Sequence, residues 1–228
     1  MISIQGVTVS INGKTILNNL NVDFEESLVH GIVGLNGAGK TTFFNTLSGI
    51  QKQSEGTMIF RGKTISYSET GYLESNNFFY SRITGREYLN IFPGSNLDFI
   101  LTALNQLMHL PLDTLIETYS SGMKKKLALL AILKQDRPIY LLDEPFNNLD
   151  IESCKMLELM VAGLKEKGKT VFISSHIINT LLPICDRIYL IEQGELKRKF
   201  DKPEFDVIEE ELLGIFTQSA KAIIEKSM

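Results

Sequence analysis

The sequence predicts an α/β fold with a mainly parallel sheet, an antiparallel β part at the N-terminus and an inserted block of helices. Three observations carry this. Short apolar runs at 139–142 and 171–173 sit between helical stretches, the pattern of parallel strands buried on both faces. Residues 2–11 alternate in two registers around Gly6 and lead into Asn12-Gly13, a hairpin pair that tolerates positive φ. Residues 75–135 hold helical stretches and no convincing strand.

In chain order, the β opening is followed by an apolar run at 28–35 that ends in glycines, and a helix continues over 42–47. Helices are expected at 85–91, 96–109 and 123–134, then strands at 139–142, 171–173 and 188–191, the last closed by Gln193-Gly194. The tail, 205–228, mixes Val207, Ile208, Leu212, Leu213, Ile215 and Phe216 with acidic residues and reads as helical, without a chemical signature of its own. The expected organisation is a catalytic core of 1–74 and 136–200, a helical subdomain of 75–135 and a C-terminal helical tail of 201–228. One domain suffices, because a single core grows to roughly 250 residues before chains split.

The 228 residues are 43% hydrophobic and 22% charged, which excludes disorder and collagen. Lys and Arg number 23 against 27 Asp and Glu, a net charge of -4, so no basic field points to nucleic acid. The longest apolar stretch, 127–133, is far short of the ~20 residues that span a bilayer. No secretory signal is visible at the N-terminus, so the cytoplasm is the expected compartment, and Cys154 and Cys185 are expected there as reduced, buried thiols.

Gly34-Leu35-Asn36-Gly37-Ala38-Gly39-Lys40-Thr41-Thr42 matches G-x-x-x-x-G-K-[ST] between a strand and a helix. Its glycines let successive backbone N–H groups face one anion, and the helix N-terminus adds its dipole. The motif predicts a P-loop NTPase core that binds a triphosphate through residues 36–42. Lys40 is expected at the β and γ phosphates and Thr41 at Mg²⁺.

Residues 139–142 then end abruptly in Asp143 and Glu144. Ligands of open parallel sheets lie at the carboxyl ends of the strands, so both acids should face the phosphates. Asp143 is suited to hold Mg²⁺, and Glu144 to position or deprotonate the attacking water.

With Tyr119-Ser120-Ser121-Gly122-Met123 standing 24 residues before Asp143, where the signature Leu-Ser-Gly-Gly-Gln belongs, the chain resembles the ATP-binding cassette (ABC) ATPases of membrane transporters. The likeness covers residues 2–200, and the Tyr-Ser-x-Gly-Met form is similar to the ABC-2 branch of drug, bacteriocin and polysaccharide exporters. As the opening of a helix, Ser120, Ser121 and Gly122 suit a second anion site. The resemblance implies that this site takes the γ-phosphate of ATP bound to the opposite subunit, in a homodimer that forms with ATP.

It further implies that residues 146–150 form the interface loop, with Leu149 and Asp150 at the matching positions, and that His176 contacts the γ-phosphate and helps hold the water. His30 and His109 have no such context and are expected to be structural. Lys124, Lys125 and Lys126 are expected as a solvated helix face.

Two positions depart from the family pattern. Ile11 stands where an aromatic usually stacks on adenine, and such stacking is worth about 1–3 kcal/mol. Counting back from Thr84 and Glu87 puts Ser75 where many members have a glutamine on Mg²⁺, a role open to Ser75 or Glu74. Asn76, Phe78, Phe79 and Tyr80 suit either the docking groove for a permease helix or a buried aromatic cluster.

The function implied is an ATP-hydrolysing subunit with ATP and Mg²⁺ as cofactors, powering a separate transmembrane permease, in the export direction, from the cytoplasmic face of the membrane. The alternatives are a low-turnover, nucleotide-dependent interaction module and a non-transport ABC ATPase.

Overall fold

The computed structural model describes residues 1–94, 97–208, 210, 211, 214 and 217. Strands β1 (Ile2–Ile11), β2 (Lys14–Phe24), β4 (Glu55–Phe60) and β5 (Lys63–Thr64) form an antiparallel sheet in the order β2-β1-β4-β5. Gly6 is the point of the two-register alternation. The β1–β4 pairing shifts between Gln5 and Thr8, so Ile2 and Ile4 point inward before it and Val7 and Val9 after it. Asn12 and Gly13 have φ of 51° and 76°, both left-handed, as the two-residue hairpin turn requires.

The larger sheet has the order β10-β9-β3-β8-β7-β6, built from β3 (Val29–Val33), β6 (Thr70–Leu73), β7 (Ile139–Leu142), β8 (Thr170–Ser175), β9 (Arg187–Glu192) and β10 (Glu195–Asp201). Its pairings are parallel except β9–β10. The apolar runs have the expected cause. Ile139 and Leu141 enter the core shared with the antiparallel sheet and helix α1 (Lys40–Leu47), while Tyr140 and Leu142 enter the core on the other face. Phe172 divides from Val171 and Ile173 in the same way, so both faces demand apolar side chains.

Between β6 and β7 lie the helices α2 (Gly85–Ile91), α3 (Leu97–Met108) and α4 (Ser121–Lys134). Thr84 and Glu87 close a reciprocal capping box on α2. His109, exposed with φ 52°, stands just past the last residue of α3. Helix α5 (Ile151–Glu166) follows β7, and its N-cap Asp150 accepts from Ser153 N at 2.8 Å.

Three expectations need correction. Cys185 is buried, but Cys154 is only partly so, lying in the first turn of α5. Lys125 is 6% exposed and does not belong to a solvated face, since its side chain turns inward to donate to the Glu144 carbonyl at the end of β7. The last strand runs through Asp201, one residue beyond the expected end of the core, and Asp201 then caps a 3₁₀ turn with Glu204. Of the expected tail helix, 205–208, 210, 211, 214 and 217 are helical, with Phe205 and Ile208 buried. Leu212, Leu213, Ile215 and Phe216 lie outside the described residues.

Candidate active site

Four consecutive parallel strands, β3, β8, β7 and β6, bring their carboxyl ends to one edge, and each delivers part of the site. After β3 the phosphate loop turns on Gly37 and Gly39, with φ of 81° and 111°. Gly34 is required for space, since a Cβ there would lie 2.2 Å from the Ile191 carbonyl oxygen. Gly39 is also the N-cap of α1, where no side chain caps the helix, leaving its first N–H groups for an anion. Asn36 is exposed and joins Gly34, Ser175 and His176 around a cavity of about 260 Å³.

Lys40 is buried, and its Nζ donates to the carbonyls of Gly34 at 2.7 Å and Leu35 at 3.3 Å. Burial pulls the ammonium below its usual pKa against the opposing influence of Glu144 and Asp143. The Lys40 Nζ lies 4.0 Å from Glu144 Oε1.

At the end of β7, Asp143 is fully buried and accepts from the Thr41 hydroxyl at 2.8 Å and the Ser174 hydroxyl at 2.5 Å. The next residue, Glu144, turns the chain with φ 48°, a left-handed conformation costly for a residue with a Cβ. Its N–H donates to Ser174 Oγ at 2.9 Å, which anchors the turn to β8. Its carboxylate meets His176 Nδ1 at 2.9 Å.

Thr41, Lys40, Asp143, Glu144 and His176 thus form one constellation. Ser174 belongs to it as well, holding both Asp143 and the Glu144 peptide. Sequence reasoning passed over it because a serine inside an apolar strand looks like strand filler. Ile11 lies at the β1–β2 hairpin, 38% exposed. Ser75 follows β6, and among the described residues it makes no hydrogen bond to Thr41, Asp143 or Glu144. Beside it, Glu74 feels the site electrostatically: burial, with the Asp143 charge adding to it, raises its pKa.

The signature segment forms a second site. Ser120 is the N-cap of α4, its Oγ accepting from Met123 N at 3.2 Å. Ser120, Ser121 and Gly122 line a cavity of about 250 Å³ with Asn148, Leu149 and Asp150 of the loop after Glu144. The two loops touch: a Cβ on Gly122 would sit 2.9 Å from the Asn148 carbonyl oxygen. Further out, Phe78 and Tyr80 are exposed and stack edge to face, whereas Phe79 packs on Tyr88.

His30 is structural, as expected. It is buried among Phe24, Phe172 and Tyr189, and burial lowers its pKa to about 4.

The profile of the ABC transporter family matches residues 17–147, a span that holds the phosphate loop, the signature segment and both acids. The lantibiotic transport ATP-binding protein SrtF of Streptococcus pyogenes is 29% identical over 213 residues, covering 90% of this chain and 93% of its own length. The bacitracin transport ATP-binding protein BcrA of Enterococcus faecalis is 29% identical over 229 residues, covering 91% of this chain and 74% of its own. A dimeric, post-hydrolysis structure of the ATP-binding cassette MJ0796 with ADP and Pi superposes with a TM-score of 0.79 over 89% of this chain and 99% of that one, at 21% identity, which speaks to the fold. Profile match, motif geometry and fold agree that the chain belongs to the ABC transporter family, standing among its ATP-binding ATPase subunits.

Proposed function

We propose that this chain binds ATP, closes on it as a head-to-tail homodimer, and hydrolyses it to drive a separate transmembrane permease of an exporter. The observation that carries the reading is the convergence of Lys40, Thr41, Asp143, Glu144 and His176 at adjacent strand ends. Residues 36–42 hold the phosphates, with Lys40 exchanging its carbonyl partners for the β and γ oxygens. The Glu144 carboxylate, steadied by His176, orients a water in line with the γ-phosphorus and takes its proton. The bond from the γ-phosphorus to the β-bridging oxygen breaks, releasing ADP and phosphate.

The donor set at Thr41 and Asp143 fits Mg²⁺: a hydroxyl and a buried carboxylate share one hydrogen bond, and both are hard oxygen donors. When bound, the ion offsets charge on the β and γ phosphates. Glu74 and Ser75 stand next in line at the end of β6, with Glu74 favoured by its electrostatic contact with Asp143.

Ser120, Ser121 and Gly122 serve the ATP of the opposite subunit, because in their own subunit they open onto the separate cavity beside Asn148 and Asp150. Among the described residues no helix is long and apolar enough to cross a membrane, so attachment to the cytoplasmic face runs through the permease. Exposed Phe78 and Tyr80 supply apolar surface for that contact. The relatives that transport lantibiotic and bacitracin favour export as the direction.

A Mg-ATPase assay of the protein with its permease is the test. Vigorous turnover that Glu144→Gln abolishes supports the reading. Undiminished turnover in that variant removes Glu144 from its role. Negligible wild-type turnover favours the second reading, a nucleotide-dependent interaction module, which the exposed Ile11 in place of an aromatic supports.

A further inference from the structure

Lys124 and Lys126 flank a lysine of quite different placement. Lys125 is 6% exposed, and its Nζ donates at 2.6 Å to the carbonyl oxygen of Glu144. Burying an ammonium is costly unless a specific partner needs it there. The partner here is the backbone of the acid at the end of β7, which is held left-handed, φ 48°. The residue's backbone is held on both sides: its N–H goes to Ser174 Oγ at 2.9 Å, and its carbonyl accepts from Lys125 and, at 3.3 Å, from Asn147 N. The carboxylate that emerges from the clamp meets His176.

The other end of the connection is the signature loop. Lys125 lies in the opening turns of α4, which Ser120 caps, and Gly122 on the same turn presses against the Asn148 carbonyl. One side chain therefore bridges the helix end suited to a γ-phosphate and the backbone that aims the hydrolytic carboxylate.

We propose that Lys125 is a positioning residue that ties the Ser120–Gly122 end of α4 to the Glu144 peptide, so that the carboxylate is correctly aimed only when α4 is seated. The proposal rests on the ATPase reading. In a head-to-tail dimer, α4 of one subunit is seated by nucleotide on the other, and Lys125 passes that seating to the carboxylate of its own site. The two sites are then coupled through one hydrogen bond per subunit.

The test compares Lys125→Met, which keeps length and loses the donor, with Lys125→Arg, which keeps a charged donor, in the full chain with its permease. The Met variant is expected to lose on the order of tenfold to a hundredfold in kcat, the rate equivalent of one charge-assisted hydrogen bond. Its ATP dissociation constant should stay within about twofold of wild type, since only the aim of Glu144 changes. Lys125→Arg should recover most of the rate. Should the Met variant not fold, Lys125→Gln, which keeps a donor without the reach, carries the same comparison. Unchanged kcat in the Met or Gln variant overturns the proposal, as does a loss confined to ATP affinity or a failure of Arg to rescue. A wild-type protein without turnover overturns the ATPase reading and this proposal together, so the two failures are told apart by the wild-type control.

Discussion

Two histidines of the same sequence differ entirely in what their surroundings make of them. His176 is half-exposed and its Nδ1 lies 2.9 Å from the Glu144 carboxylate, whereas His30 is enclosed by aromatic rings and its Nε2 contacts the Glu25 carbonyl, at 2.8 Å. With its pKa lowered from 6.5 to about 4, His30 stays neutral in the folded protein while the unfolded chain takes up a proton below 6.5. Stability from this residue is therefore complete above pH 6.5, falls as pH drops toward about 4, and levels off below that. The full loss is about 3 kcal/mol, with roughly 2 kcal/mol already gone at pH 5. Urea unfolding at pH 7.5 and pH 5 should show this loss in wild type and a smaller one in His30→Phe. Equal pH dependence in both proteins would remove His30 as the cause.

Residue identity in the site was legible where a motif fixes a role. Lys40, Thr41, Asp143, Glu144 and His176 all stand within one network. Ser174 and Lys125 were not legible, because nothing in a serine among apolar residues or a lysine among lysines shows which way the side chain points. Burial decided both, and burial is a property of the packed whole.

At the scale of elements, the proposed function gives the N-terminus of α4 a second task beside its cap. Ser120 caps the helix, and the same hydroxyl faces the cavity assigned to the opposite subunit's phosphate. Aspartate caps a helix as well as serine does, but adds negative charge where an anion must bind. Ser120→Asp is expected to leave the melting temperature within about 2 °C, a shift that corresponds to about 0.5–1 kcal/mol in a chain of this size, and to abolish ATP-driven dimerisation. Circular dichroism melting and size-exclusion chromatography with ATP check the two halves. A dimer formed normally by Ser120→Asp would remove the loop from phosphate binding.

Helices in this region were legible from patterning and caps, as the Thr84–Glu87 box shows. Strands such as β4 and β10 were harder to see. β4 is half-exposed, and β10 is an edge strand written Glu195-Leu-Lys-Arg-Lys-Phe-Asp, whose charges suit solvent and guard the sheet edge. Neither carries the clean period that marks a strand with one dry face.

The whole molecule is organised by one sheet with two cores. Each central strand sends alternate residues to opposite sides, so apolar runs that look featureless in sequence hold the phosphate loop, the acids and the histidine in fixed relation. Phe172, fully buried on β8 two residues before Ser174, packs against Phe24, Phe43 and His30 in the core under the phosphate-loop helix. Phe172→Ala is expected to cost about 3–5 kcal/mol by the cavity it leaves. Chemical denaturation gives that figure, and a cost under about 1 kcal/mol would show that this core does not hold the strand ends in place.

In the proposed head-to-tail dimer the complete catalytic unit is larger than one chain, since the signature loop and the phosphate loop of one subunit serve different nucleotides. Light scattering of Glu144→Gln with and without Mg-ATP tests this most directly, because a variant without the Glu144 carboxylate is expected to bind ATP and leave it unhydrolysed. The variant is expected to be a monomer without nucleotide and to double in mass with saturating Mg-ATP. A mass that stays monomeric when nucleotide is demonstrably bound would contradict the head-to-tail dimer.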